Sequence, residues 1–164
     1  MRIHLALQPY IRVTNLMKKH DYKNLLMSYA FFKNPKKLLT VYTDWWPQNL
    51  IIDSGAFSVW TKGMTIDIEE YIAFCKGIKK VVPKSTNVYF VNLDVLPGKF
   101  GKVPTKEQRE HSAQQGWKNL EIMRGAGLEV IHVFHQHESF DWLERMIKNL
   151  DYIGLSPAND AGMK

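Results

Sequence analysis

The chain has 164 residues, 45% of them hydrophobic and 23% charged, a balance that holds one domain with its own core and excludes a largely disordered segment. Its apolar runs fall far short of the roughly 20 residues a membrane helix needs, and Met1-Arg2-Ile3-His4 has no signal-peptide layout, so a cytoplasmic protein with no membrane partner is expected. One cysteine, Cys75, excludes an internal disulfide or a Cys-rich zinc site, while a net charge of +6 with lysine clusters at 18–19, 33–37, 79–84 and 99–106 favours a polyanionic partner.

In chain order, Ile3 to Leu7 reads as a first strand and Thr14 to His20 as a short amphipathic helix. Asn24 to Phe31 is a second strand, and Pro35 to Asp44 opens with a proline suited to a first helical turn. Leu50 to Ile52 is a short buried strand that stops abruptly at Asp53 and the turn Ser54-Gly55. Ile66 to Lys80 has Asp67 as N-cap, three residues before Glu70, and carries Ile68, Tyr71, Ile72, Cys75 and Ile78 at helical spacing. Val88 to Leu93 is the fourth strand. Thr105 to Arg124 is the longest helix, with Thr105 and Gln108 placed as a capping box and Gly125-Ala126-Gly127 as the stop. Glu129 to Phe134 follows as a strand, and Ser139 to Leu150 sets Phe140, Leu143, Met146, Ile147 and Leu150 on one helical face. Tyr152 to Leu155 is the sixth strand.

Strands alternating with helices imply a parallel sheet with right-handed crossovers. The strand starts recur about every 30 residues, and eight such units make a (β/α)8 barrel of about 240. The expected fold class is therefore α/β of the TIM (β/α)8 barrel type, with about six of its eight βα units in a single partial domain over residues 1–164. An open six-stranded sheet is the rival architecture.

Several strands end in a polar group, which is how a barrel builds an active site at one rim. Partial burial at a strand end would raise the pKa of Asp53 toward the range useful for general acid/base work, although Asp53 and Ser54 also suit a turn that only satisfies backbone donors. Asp94 lies just past Asn92 at the next strand end and aims at the same rim if the strands are parallel. The run from His132 to Glu138 invites a metal reading, yet alternation puts His132, Phe134 and Gln136 on one face and Val133, His135 and His137 on the other. Gln136 stands apart, because an amide at a strand end both donates to and accepts from a heterocyclic base. Gly154 before Leu155-Ser156 would let a flat ligand approach the backbone, or simply turn the chain before Pro157. Of the aromatic residues, Phe57 and Trp60 are the two set apart from ordinary core packing by their position just after Asp53.

Asp53-Ser54-Gly55-Ala56-Phe57-Ser58, Asn92-Leu93-Asp94, Val133-Phe134-His135-Gln136 and Ile153-Gly154-Leu155-Ser156, in this order, resemble the tRNA-guanine transglycosylase superfamily, and more closely its phage and bacterial branch, the DNA 7-deazaguanine transglycosylases. The resemblance implies a TIM barrel that exchanges a guanine in DNA or tRNA for a free 7-deazaguanine base through an aspartyl-sugar intermediate, with no cofactor, in a bacterial or phage-infected cell. It implies that Asp53 is the general acid/base. Asp94 would accept hydrogen bonds from the amino and ring N–H groups of the base. Gln136 and the backbone of Gly154-Leu155 would read its carbonyl and substituent, with Ser54, Gly55 and Phe57 lining the pocket. The superfamily's nucleophilic aspartate belongs to the last strands of the barrel, past the six units here, and the zinc ligands of the tRNA enzymes have no counterpart.

The expectation is thus a C-terminally truncated member whose catalysis alone is in doubt: an incomplete sequence, a barrel completed by a partner chain or by another copy, or a remnant that only binds. Two rivals are a non-catalytic nucleic-acid or base-binding module and a metal-dependent TIM-barrel hydrolase using Asp53, Asp94 and the histidines near 135. If the lysine clusters meet phosphates, affinity for DNA or tRNA will fall by an order of magnitude or more between low and moderate salt in a binding titration. Salt-independent affinity would count against a polyanionic partner.

Overall fold

The computed structural model describes residues 4–6, 11–42 and 45–156. Six strands, β1 (Leu5–Ala6), β2 (Asn24–Ser28), β3 (Asn49–Asp53), β4 (Asn87–Val91), β5 (Val130–His135) and β6 (Ile153–Ser156), pair side by side in chain order, and every pair is parallel. The helices are α1 (Ile11–Lys19), α2 (Leu38–Val41, entered through a 3-10 turn at Pro35–Lys37), α3 (Ala56–Trp60), α4 (Ile68–Val81), α5 (Lys106–Gly125) and α6 (Phe140–Asn149). An open doubly wound sheet reverses its strand order at a switch point, and no reversal occurs here. The sheet is singly wound and curls like part of a barrel wall.

The two faces of the sheet have different fates. Leu25 and Met27, Leu50 and Ile52, and Val88 and Phe90 stack across β2, β3 and β4 and pack against Tyr71, Ile72, Cys75 and Ile78 of α4. A smaller cluster joins Phe134 of β5 to Trp117 and Leu120 of α5 and Met146 of α6. On the opposite, concave face Leu26, Tyr89, Val91 and Val133 are only half-buried. At its N-terminal edge the Asn49 amide donates to Asn24 Oδ1 at 2.7 Å, and that of Asn87 donates to Asn49 Oδ1 at 3.0 Å. This side-chain ladder crosses three strands at matched positions.

Local signals placed most boundaries within two residues. Thr105 and Gln108 form the reciprocal capping box of α5, and Asp67 caps α4 by accepting from the Glu70 N–H at 2.9 Å. Four readings change, two of them in helices: the one expected from Thr14 begins at Ile11, and the one expected from Pro35 is a 3-10 turn followed by a helix that ends at Val41. The second strand ends at Ser28, not Phe31, because the Ser28 carbonyl accepts the N–H groups of both Phe31 and Phe32 and closes a turn. The five-residue α3 was not anticipated; it begins directly after Gly55, whose φ of +75° turns the chain off β3. The parts of the expected first strand at Ile3 and Leu7, and Asp44 of the expected second helix, lie outside the described residues. Among the described residues no helix is long and apolar enough to cross a membrane.

Phe90 is 1% exposed where the sheet meets α4. Phe90→Ala will cost about 3–5 kcal/mol in urea denaturation, whereas a loss below about 1 kcal/mol would show that this layer is not the core.

Candidate active site at the strand ends

Parallel pairing in chain order sends every strand's C-terminal end to the same rim, and the polar strand ends meet there. A cavity of about 210 Å³ is lined by Asp53, Ser54, Gly55 and Phe57 from the end of β3, Asp94 and Leu96 after β4, Val133 and His135 of β5, and Ser156 of β6. Its size is below the roughly 300 Å³ lower bound of drug-sized pockets, so it suits a small ligand.

Asp53 is held by its own turn, since its Oδ2 accepts the Gly55 N–H at 3.0 Å. Burial raises its carboxyl above the ordinary value. The Ser28 hydroxyl at the paired position on β2 and the Gly55 N–H partly offset that rise, and the charge of Asp94 adds to it. Gly55 has no substitute: besides its left-handed φ, a Cβ there would sit 2.4 Å from the Ala30 Cβ.

Asp94 is fixed from the helix layer. The Asn92 amide donates to the Gly116 carbonyl of α5 at 2.8 Å, Asn119 of α5 donates to the Leu93 carbonyl at 2.7 Å, and the Tyr71 hydroxyl donates to the Val91 carbonyl at 2.9 Å. Three anchors thus place the short segment that carries this carboxylate. Asp94 Oδ2 lies 3.3 Å from His135 Nε2, with side chains only 13% and 7% exposed, while Asp94 Oδ1 is buried with no hydrogen-bond partner. Burial alone would lower the His135 pKa, but the Asp94 carboxylate in contact with it, with Glu138 behind, outweighs burial and raises the imidazole above its ordinary value. Burial also pushes the Glu138 carboxyl up to about 7, where its Oε2 accepts the His135 backbone N–H at 3.4 Å. His137 stacks on His135 with ring centroids 5.5 Å apart.

His132, three residues before His135, belongs to the other face. The Asn92 amide lies 3.0 Å from its Nδ1 and Trp117 meets it edge-on, and burial lowers its pKa to about 4, so it stays neutral. Alternation along β5 therefore separates the histidines. Among the described residues no three His, Cys, Asp or Glu side chains are placed to hold a metal ion, which leaves the metal-hydrolase rival without a ligand set.

Of the residues singled out from sequence, Asp53, Ser54, Gly55, Phe57 and Asp94 converge on the cavity. Gln136 does not line it: it follows β5 in a turn, is exposed, and has the parity of the helix side. Leu155 is 76% exposed on that same side, and Gly154, paired with Val133 across β5 and β6, is not among the residues that line the cavity. In their places stand His135 and Ser156, paired across β5 and β6. The alternation along β5 already put His135 on the face of Val133; what was missing was that this face is the one Asp53 shares.

No protein-family model, no curated protein and no solved structure matches the chain. The class is set by fold and site alone: a singly wound parallel α/β protein with a carboxylate-lined cavity at the C-terminal rim of its sheet.

A histidine with a raised folded-state pKa stabilises the fold fully below its unfolded value, about 6.5, and loses that contribution as pH rises through the folded value. By NMR the His135 titration will have its midpoint above 6.5. In Asp94→Asn the midpoint will fall, because burial is then opposed only by the charge of Glu138. An unchanged midpoint in that variant would refute the Asp94–His135 contact.

Proposed function

We propose that the chain handles a purine as part of a (β/α)8-type transglycosylase, exchanging guanine in DNA or tRNA for a free 7-deazaguanine base. The observation that carries this reading is Asp94, a carboxylate with a buried, unpartnered Oδ1, on the wall of a small cavity that also holds Asp53. A buried carboxylate oxygen demands a donor, and the edge of a guanine offers an amino and a ring N–H side by side. His135 lies 3.3 Å from Oδ2, which leaves Oδ1 as the acceptor for those donors.

In base exchange the bond from the sugar to the purine nitrogen breaks, and the departing purine needs a proton that the incoming base later surrenders. Asp53 suits both transfers, because burial lifts its carboxyl toward the pH at which a group gives and takes a proton with equal ease. A base inside a duplex cannot reach a cavity of this kind, so the nucleotide must be flipped out or unpaired beforehand. Phe57, 44% exposed at the cavity wall, is placed to cover one face of the base. Asp53 and Asp94 are the only carboxylates lining the cavity among the described residues. With both engaged on the base, the nucleophile that attacks the sugar is to be sought outside the described residues.

Radiolabelled guanine or 7-deazaguanine offered with DNA and with tRNA tests the reading. Label is expected to enter one polymer and to fall by about 100-fold or more in Asp53→Asn, the scale of a lost general acid/base. Undiminished incorporation by Asp53→Asn would remove Asp53 from the chemistry. Equilibrium binding of the free base that is lost in Asp94→Asn, with no incorporation by the parent chain, would reduce the reading to a base-binding module.

A further inference from the structure

Beside the cavity, three aromatic rings form a cluster that the core does not account for. Trp60 and Phe100 meet nearly perpendicular at 5.4 Å between centroids, Phe57 meets Phe100 at 6.2 Å and Trp60 at 6.0 Å, and Phe100 is 51% exposed. The Trp60 indole N–H donates to the Gly98 carbonyl at 3.0 Å, tying α3 to the turn that carries Phe100. Gly98 and Gly101 bracket that turn, both at positive φ, so Phe100 sits at the tip of a tight loop between Lys99 and Lys102.

A ring at a loop tip could serve only to pin the loop, and Trp60 does so through its hydrogen bond. Phe100 adds an edge-on contact but leaves half its surface in water, where burial gains little. The loop that carries it is itself basic. Residues 95–106 contribute Lys99, Lys102 and Lys106 and no acidic side chain, with Asp94 and Glu107 adjoining the two ends of the segment. An exposed aromatic face set among lysines matches a ligand with flat apolar rings joined by phosphates.

We infer that Phe100, backed by Trp60, is a stacking platform for an unpaired base of a single-stranded polynucleotide, one that neighbours the nucleotide whose base enters the cavity. Phe57 belongs to both the cavity wall and the ring cluster, so the two sites are contiguous. Lys99 and Lys102 take the phosphates on either side. The inference rests on the base-exchange reading for the occupant of the cavity, but the platform itself requires only a polynucleotide.

Binding of a single-stranded DNA oligonucleotide of about 12 nucleotides is measured by fluorescence anisotropy at fixed salt, beside binding of inorganic polyphosphate. Phe100→Ala is expected to weaken the oligonucleotide by about 5- to 150-fold, the worth of one stacked base, and to leave polyphosphate unchanged. Phe100→Tyr, which keeps the ring, is expected to keep the affinity, and thermal melting confirms that both variants are folded. Unchanged oligonucleotide affinity in Phe100→Ala overturns the platform, as does an equal loss for polyphosphate, which would assign the patch to charge alone. Ring-dependent binding from a chain that incorporates no label leaves the platform standing and removes the exchange reaction. Label incorporation with ring-independent binding does the reverse.

Discussion

Strand register is the constraint on which the site depends. A slip of one residue would turn every side chain of a strand to the opposite face, carrying Asp53 into the helix layer and Ile52 into the cavity. Two devices oppose the slip. Leu25, Met27, Leu50, Ile52 and Phe90 are buried against α4 only in this register. On the other face the ladder Asn24–Asn49–Asn87 closes only when the three amides are level. With the N-terminal edge pinned, Ser28 and Asp53 come level at the C-terminal edge, and β5 and β6 bring His135 and Ser156 to the same rim.

Electrostatics then divides the polar groups by face. His132 and His135 are three residues apart on one strand and similarly buried, yet one is held neutral and the other is favoured as a cation. The difference is the partner. Asn92 gives His132 a neutral amide and no compensating carboxylate in contact, whereas Asp94 and Glu138 surround His135. The same pairing neutralises one oxygen of Asp94 and leaves the other for a ligand. Asp53, lacking such a cation in contact, carries the burial cost in its own raised pKa. Two carboxylates on one cavity wall thus stand in different surroundings, and in the proposed base exchange that difference makes one the fixed acceptor and the other the proton carrier.

Elements whose signals are local were legible. The capping box at Thr105 and Gln108, the Asp67 cap and the apolar stripe of α4 each act within one or two turns of chain, and the structure repeats them nearly residue for residue. The short α3 was not legible because its cause is not local: Gly55 must turn left-handed where Ala30 and Ser28, some 25 residues earlier, crowd its α-carbon. Trp60 and Phe100 were equally hidden as a pair, being 40 residues apart and joined only when the loop after β4 folds back onto α3.

By itself the sequence determined that short buried strands alternate with helices and that several end in a carboxylate, a histidine or a hydroxyl, because hydrophobic periodicity and capping are written in neighbouring residues. It also separated the histidines of β5 onto two faces, since alternation is a property of the strand alone. Only the tertiary structure decided which of those faces is the cavity. It chose His135 over Gln136 and Ser156 over Leu155, for the same physical reason in both cases. A strand's two faces are equivalent until neighbouring strands and covering helices bury one of them, and that choice is made by contacts between residues far apart in the chain.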